Sequence, residues 1–255
     1  NIAGMTMSVY NLISQYILII GSIVALVFLA VAGNEKRAAA GLTRQNWKSA
    51  VLIVLAFVGI YIVRTVVSVA VQGVSDGSGM QYVKEWAAMF KNPMMWLNIA
   101  ALPINYFFVF IAFFGEEYGW RYYLQPVLQK RFGLRAGVII LGVVWGLWHI
   151  PDDLFYYTQT SGIQMIFAQQ ITCISLGIFF AYAYMKTQNI WVPVCLHYLN
   201  NNLIPIISGT FSADVLENQT VSWKDLPVAL VLNGLCFGFF LLADVFKKKE
   251  VQEEE

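Results

Sequence analysis

Two adjacent glutamates and an arginine stand out in a chain that is otherwise strongly apolar. Glu116, Glu117 and Arg121 lie within the stretch Phe114–Tyr122, and ionisable groups at membrane depth cost at least a few kcal/mol each unless they are paired or hydrated. Glu117 and Arg121 have the i,i+4 spacing that brings a carboxylate and a guanidinium together on one helix face. Glu116 points about 100° away from that face. The pattern predicts a neutralised Glu117–Arg121 pair and a Glu116 that can act as a base; a solvated helix end is the alternative.

The two histidines of the sequence, His149 and His197, also lie in apolar stretches. His197 precedes Asn201 by four residues, so the two share a helix face about 6 Å apart at Cβ. A His and an Asn on one face can donate two hydrogen bonds to an oxyanion, and losing one such donor typically costs on the order of 10²–10³ in rate. The alternatives are a packed, hydrogen-bonded His149 and polar contacts that only join helices, worth about 0.6 kcal/mol each on average.

A helical hairpin would bring Glu116 and His149 together. Glu116 lies 16 residues before Phe132, and His149 lies 16 residues after Gly133. If the chain turns between Phe132 and Gly133, each side chain is at most about 24 Å from the turn, and the two reach similar depths. This requires the helix that carries Glu116 to continue to the residue before Pro126, which would end or kink it.

The composition indicates a polytopic membrane protein. The 255 residues are 58% hydrophobic and 12% charged, whereas soluble domains contain about 45–50% apolar and about 25% charged residues. The formal charge of +1, without a basic patch, gives no support for nucleic-acid binding. Three separated cysteines, Cys173, Cys195 and Cys236, suggest neither a disulfide framework nor a zinc knuckle.

Apolar runs of about 20 residues, the length that spans a hydrocarbon core of about 30 Å, predict an all-α bundle of seven transmembrane helices. The predicted spans are about residues 9–32, 49–72, 96–115, 136–157, 163–185, 190–208 and 225–246. Most basic residues fall on one side of this arrangement, so the positive-inside rule places the N-terminus outside and the C-terminus in the cytoplasm. An eighth, re-entrant or split segment would change the count.

The predicted helices divide the chain into three regions. Residues 1–95 hold N-terminal transmembrane helices and an amphipathic connector, and residues 96–208 hold the helical core that carries the polar motifs, the candidate catalytic residues. Residues 209–255 hold the last transmembrane helix and a charged cytoplasmic tail.

The three polar motifs together resemble the CPBP family. They are Glu-Glu-x-x-x-Arg, a single His and His-x-x-x-Asn, in this order across successive apolar segments between about residues 99 and 208. That family comprises the type II CAAX prenyl endopeptidases and the bacterial Abi and bacteriocin-processing or immunity proteins. This chain departs from the family pattern at Trp145, where Phe usually precedes the motif His by four residues, and at Tyr122, where bacterial members often have Gly.

The resemblance implies a role for each motif residue. Glu116 and His149 would activate the attacking water, and His197 and Asn201 would form the oxyanion hole. Glu117 and Arg121 would support the site. The resemblance therefore implies an endopeptidase without a metal or other cofactor, which acts at the cytoplasmic membrane interface on a peptide or prenylated protein and has membrane lipid around it.

Three other functions stay open on the sequence. Two His and a Glu are a plausible zinc set, although no H-E-x-x-H occurs. An immunity or regulatory membrane partner could retain the same residues without proteolysis, because fold does not settle function. A proton-coupled transporter is less favoured, since no pair of broken helices recurs in two matching halves.

Overall fold

The computed structural model describes residues 19–20, 22–24, 26–28, 30–32, 41–42, 44–75, 77, 81–208 and 217–247. The helices are α1 (Trp47–Ser75), α2 (Gln81–Met89), α3 (Pro93–Glu117), α4 (Gln125–Phe132), α5 (Leu134–Trp148), α6 (Ile150–Phe155), α7 (Gly162–Thr187), α8 (Trp191–Ser208) and α9 (Asp225–Cys236). A π-helical segment, Tyr118–Leu124, joins α3 to α4, and two 3₁₀ turns, Gly238–Leu242 and Asp244–Phe246, follow α9. No strand occurs in these ranges, and the all-α class is confirmed for them.

Four helical stretches in the described ranges are long and apolar enough to cross a membrane. They are Trp47–Val71, Pro93–Phe132, Leu134–Phe155 and Gly162–Thr187. Helix α8 covers the predicted span 190–208. The span predicted at 225–246 differs, because α9 ends at Cys236 and tighter 3₁₀ turns replace the α-helix beyond it. Most of the predicted span 9–32 lies outside the described residues.

The hairpin that carries the polar motifs forms around Gly133. Helix α3 begins with Pro93 at its first turn, and the side chain of Asn92 accepts a hydrogen bond from the Met94 amide at 3.0 Å. The helical path continues through the π-helical segment to Phe132, and Pro126 lies in the first turn of α4 rather than ending the run. Gly133, with φ 88°, reverses the chain in a conformation that favours glycine.

One end of the bundle, here called the basic end, is held by hydrogen bonds between α1, α4, α5 and the α7–α8 connection. Asn46 donates to the carbonyl of Thr187 at 3.0 Å, and Asn189 donates to the carbonyl of Gln45 at 3.1 Å. Gln129 donates to the Leu134 carbonyl at 3.1 Å. These contacts place the start of α1, the α4–α5 turn and the end of α7 at the same level.

The opposite end is held by a second set of contacts. The Trp86 indole of α2 donates to the Ile207 carbonyl at 2.7 Å. The Gln219 amide donates to the Tyr157 carbonyl at 2.9 Å, and the Val221 amide donates to Ser161 Oγ at 3.0 Å. The α6–α7 connection and the segment before α9 therefore lie together, across the bundle from the basic end.

Helix α7 is central, since it packs against α1, α5, α6, α8 and α9. Its buried Phe179 and Phe180 join Phe57 of α1 in the main core cluster. A Cβ added at Gly142 would lie 2.6 Å from the Ile174 Cα, so glycine is what permits this close approach of α5 to α7. The packed α5–α7–α8 face positions the polar motifs.

Candidate active site

The side chain of Glu117 joins two polar motifs. Its Oε2 accepts a hydrogen bond from Arg121 Nε at 2.8 Å, and its Oε1 accepts one from His197 Nδ1 at 2.9 Å. Glu117 and Arg121 are 0% exposed, and His197 is 3% exposed. A buried charge needs a partner, because transfer from water is costly. The structure thus forms the Glu117–Arg121 pair that the i,i+4 spacing predicts, and adds His197 to it.

The guanidinium of Arg121 lies between two aromatic rings. It is 5.0 Å from the Trp145 ring centroid and 5.4 Å from that of Phe180, within the range of cation–π attraction. Its Nη1 and Nη2 atoms have no hydrogen-bond partner among the described residues. The rings and the Glu117 carboxylate therefore provide the surroundings that stabilise this buried cation.

The ring of His197 is fixed on one side and faces a cavity on the other. Phe113 and Trp145 pack edge-on against it, with centroid distances of 5.2 and 5.4 Å. Because Nδ1 is bonded to the Glu117 carboxylate, Nε2 is the nitrogen left for chemistry. A carboxylate at Nδ1 orients an imidazole and stabilises its charged form, and the Nε2–H of that form can donate to an oxyanion.

His149 lies between α5 and α6, where the chain bends before Pro151. Its Nδ1 is 2.8 Å from the Trp145 carbonyl oxygen, an acceptor, so the proton of the neutral ring is on Nδ1. The Nε2 atom then carries the lone pair and can accept a proton from water. Trp145 packs against this ring as well, at 5.8 Å, so one indole separates the two histidines.

Asn201 is exposed, and its amide is oriented by a short relay from α1. Tyr61 Oη donates to Asn200 Oδ1 at 2.6 Å, and Asn200 Nδ2 donates to Asn201 Oδ1 at 2.8 Å. With its oxygen engaged, Asn201 presents Nδ2 as a donor. Sequence reasoning missed this function of Tyr61 and Asn200, since no spacing rule connects residues of two distant helices.

Glu116 is half-buried and has a weak hydrogen bond of 3.4 Å from the Trp120 indole. The Trp120 ring packs against Trp148, next to His149, at 6.2 Å, which agrees with the predicted register of the hairpin. Glu116 lies close enough to His197 and Cys173 to interact electrostatically with both. Three of the four predicted catalytic residues, His149, His197 and Asn201, line one cavity, and Glu116 is not part of its lining.

A cavity of about 490 Å³ is lined by residues of α3, α5, α7, α8 and the connections at the opposite end. Both histidines line it, together with Asn200, Asn201 and Asn202. Other lining residues are Trp145, Tyr156, Tyr157, Gln169, Thr172 and Gln219. The described lining includes no lysine or arginine, so the cavity offers neutral hydrogen-bonding groups beside two imidazoles.

A buried carboxyl group next to this cavity was not predicted from the sequence. Asp153 follows His149 by one helical turn and is 0% exposed, and within the described ranges neither of its carboxyl oxygens has a hydrogen-bond partner. The Asp-Asp pair after Pro151 was the available signal, because an acidic residue in an apolar helix is costly. No group of three or more His, Cys, Asp or Glu side chains that could hold a metal ion occurs in the part of the chain that the structure describes.

Comparisons with known proteins agree with the motif region. Residues 97–203 match the family model described as Type II CAAX prenyl endopeptidase Rce1-like. A CAAX prenyl protease 2 from Methanococcus maripaludis is 27% identical over 125 residues, which cover 46% of this chain and 45% of that protein. The match thus spans less than half the length of that relative. No solved structure matches the chain significantly.

The matched segment contains all three motifs, from Glu116 to Asn201. Over this segment, which is less than half of the chain, the sequence is similar to the type II CAAX prenyl endopeptidases.

Proposed function

We propose that this chain is an intramembrane endopeptidase in which Glu116 and His149 activate a water molecule for attack on a peptide bond. The observation that carries the proposal is that His149, His197 and Asn201 line one cavity inside a bundle of apolar helices. Glu116 lies outside this lining but close enough to His197 and Cys173, two of the lining residues, to interact with them electrostatically. The similarity to CAAX prenyl proteases supports a protease in general terms. The assignment of water activation to Glu116 and His149 is our proposal.

The first step is proton removal from water. His149 Nε2 carries the lone pair that faces the cavity, because Nδ1 donates to the Trp145 carbonyl. Among the described residues, the Glu116 carboxylate has the weak Trp120 contact as its one hydrogen bond, so it is able to accept a hydrogen bond from water or take up the proton. General bases of this kind contribute about 10²–10⁴ in rate.

The second step is stabilisation of the oxyanion formed on the peptide carbonyl. His197 Nε2–H and Asn201 Nδ2 would donate to this oxygen, as both residues line the same cavity. Glu117 keeps the imidazolium of His197 oriented, and Arg121 balances the charge of Glu117. The proton taken from water then passes to the leaving amine, which completes hydrolysis.

We further propose that the reaction is metal-free and that lipid surrounds a bundle of seven spans, with the N-terminus outside and the C-terminus in the cytoplasm. In the part of the chain that the structure describes, no three His, Cys, Asp or Glu side chains converge as a metal set, which supports the metal-free reaction. A peptide or membrane-protein substrate follows from the protease family. The printed name of the archaeal relative refers to prenyl substrates, so an isoprenylated peptide is one substrate to test.

The test uses purified protein with fluorogenic peptides, each with and without a farnesyl group, in the presence and absence of a chelator. Hydrolysis by the wild type that survives chelation and is lost in Glu116→Gln supports the proposal. Loss of activity on chelation with recovery on adding zinc would assign Glu116, His149 and His197 to a metal instead. Wild-type biological function in Glu116→Gln would favour a non-proteolytic partner.

A further inference from the structure

We infer that Arg64 and Asn233 are positioning residues, which act on the oxyanion donor Asn201 through Tyr61. The inference rests on the proposed function, because it concerns a donor of the same site. Arg64 and Tyr61 lie on α1 and Asn233 lies on α9, outside the segment 97–203 that matches the family model. Two helices beyond the matched segment therefore contribute to the site.

Arg64 is a cation in an otherwise apolar helix. It lies inside the stretch Trp47–Val71, which is long and apolar enough to cross a membrane, and arginine stays charged in proteins. Within the described ranges, Arg64 forms no ion pair with a carboxylate. A charge at such a depth is costly, and arginines inside membrane helices mark functional sites. The contacts of Arg64 therefore indicate what it does.

The guanidinium of Arg64 is held between an amide and an aromatic ring. Its Nε donates to Asn233 Oδ1 at 2.7 Å, and its central carbon lies 5.8 Å from the centroid of the Tyr61 ring. Asn233 is 2% exposed, and in the described part of the chain this bond is the one hydrogen bond of its side chain. Because burying an amide is costly, we assign to Asn233 the role of holding Arg64 in place.

Tyr61 connects this contact to the site. It lies three residues before Arg64 on the same face of α1, and its buried ring packs against Phe57 and Phe237 with centroid distances of 5.0 Å. The hydroxyl of this fixed ring donates to Asn200 Oδ1 at 2.6 Å. A cation beside the ring attracts its electrons, which polarises the O–H bond and strengthens the hydrogen bond to Asn200.

The relay ends at Asn201. Asn200 Nδ2 donates to Asn201 Oδ1 at 2.8 Å, which leaves Asn201 Nδ2 to donate to the oxyanion. Hydrogen bonds in such a chain polarise one another, so a change at one end alters the other. The side chain of Asn201 is exposed, and its orientation depends on this bond. Loss of the Arg64 cation should therefore slow the chemical step more than it weakens peptide binding.

The kinetics of Arg64 variants test the inference. Arg64→Met keeps the length of the side chain and removes its charge, whereas Arg64→Lys keeps a cation near the Tyr61 ring. We expect Arg64→Met to lower kcat about 2- to 5-fold, the fold-change that corresponds to a cation–π contact, with KM nearly unchanged. Arg64→Lys should retain most of kcat. Thr65→Ala, at the neighbouring buried residue of α1, is the control and should match the wild type.

A double variant shows whether Arg64 acts through Tyr61. In protein that already carries Tyr61→Phe, Arg64→Met should lower kcat no further, because the hydroxyl on which Arg64 acts is gone. Losses that multiply independently would overturn the inference, as would an equal loss in Thr65→Ala. If melting in detergent shows that Arg64→Met is unfolded, Asn233→Leu takes its place. That change removes the anchor of the guanidinium, and its effect should likewise vanish in the Tyr61→Phe background.

A spectroscopic arm follows the Asn201 amide without requiring catalysis. Protein labelled with ¹⁵N-asparagine is observed by NMR in detergent, and the side-chain signal of Asn201 is identified by its loss in Asn201→Ala. We expect this signal to shift in Arg64→Met and in Tyr61→Phe, and to keep its wild-type position in Thr65→Ala. An unshifted signal in Arg64→Met would overturn the inference.

The two arms separate this inference from the proposed function. If the wild type hydrolyses no peptide while the Asn201 signal responds as expected, the proposed function fails and the positioning of Asn201 by Arg64 stands. If the wild type is active and kcat is the same in Arg64→Met, the proposed function stands and the inference fails.

Discussion

Glu117 and His197, 80 positions apart in the chain, are joined by a hydrogen bond of 2.9 Å between Oε1 and Nδ1. The same carboxylate accepts a bond from Arg121 at 2.8 Å. One enclosed group therefore fixes the end of α3, the π-helical segment and the middle of α8 relative to one another. The orientation of the His197 ring in the cavity depends on this triad.

Arg121→Ala is expected to destabilise the protein strongly. Breaking a buried pair by removing one partner typically costs about 3–5 kcal/mol, because the other charge is left uncompensated. Arg121→Lys should lose part of this stability, since lysine keeps the charge but cannot stack as a planar group between Trp145 and Phe180. The measurement is thermal melting in detergent, with Lys130→Ala, an exposed change on α4, as control. Melting of Arg121→Ala at the wild-type temperature would show that the pair contributes nothing to stability.

Tyr61→Phe is expected to reduce peptide hydrolysis about 2- to 10-fold with little change in KM. The substitution removes the hydroxyl that orients Asn200 and, through it, Asn201, and one hydrogen bond contributes about 0.5–1.5 kcal/mol net. Tyr198→Phe is the matched control, because the Tyr198 hydroxyl donates to the Leu102 carbonyl at 2.8 Å and is not part of the Asn200–Asn201 relay. Equal losses in both variants would mean that Tyr61 acts only through packing.

The helical fold and the hairpin register follow from local sequence rules. The i,i+4 spacing of Glu117 and Arg121 predicts their contact, which the structure has at 2.8 Å. The equal distances of Glu116 and His149 from the Phe132–Gly133 turn predict that the two reach similar depths, and their approach to each other stays a prediction. Such rules work because helix geometry is fixed over short distances. They cannot give the rotation of α8 about its own axis, so the bond from His197 to Glu117 was missed.

The end of the chain shows a second limit of sequence reasoning. Residues 225–246 are apolar enough to be predicted as one span, yet the α-helix stops at Cys236 and 3₁₀ turns follow. Hydropathy measures transfer to lipid and does not report the hydrogen-bond pattern of the backbone. Gly234 and Gly238 were the local signals, because glycine weakens a helix interior by about 1 kcal/mol.

Asp153→Asn is expected to raise thermal stability and leave peptide hydrolysis unchanged. An enclosed carboxyl group without a partner costs about 1–3 kcal/mol, and the neutral amide avoids burying a charge. In a chain of this size, each 1 kcal/mol corresponds to about 2–4 °C in Tm. Asp152→Asn, at the neighbouring half-buried residue, is the control. Loss of hydrolysis at unchanged stability would instead assign Asp153 a chemical role.

A peptide amide is expected to be hydrolysed at least as well as the same peptide with a free C-terminal carboxylate close to the cleaved bond. The described cavity lining contains no lysine or arginine, and Glu116 and Glu117 lie beside it. A terminal carboxylate would therefore find no cation and would be repelled by like charge. The measurement is kcat/KM for the two peptides in the same detergent. A clear preference for the free acid would show that a cation outside the described lining binds the chain terminus.

Glu116→Gln is the change on which the proposed mechanism depends. Glutamine keeps the size and hydrogen-bonding shape of the side chain and removes the base, so kcat should fall by about 10²–10⁴ while folding and peptide binding persist. Asn201→Ala should slow the same step by about 10²–10³, through loss of one oxyanion donor, and leave binding nearly unchanged. The measurements are single-turnover hydrolysis, peptide binding by fluorescence anisotropy and melting in detergent. Because Glu116 is half-buried and its one hydrogen bond in the described part of the chain is the weak contact with the Trp120 indole at 3.4 Å, the substitution should not unfold the protein. Full hydrolytic activity in Glu116→Gln would therefore exclude Glu116 as the base and leave His149 Nε2 as the group that takes the proton from water.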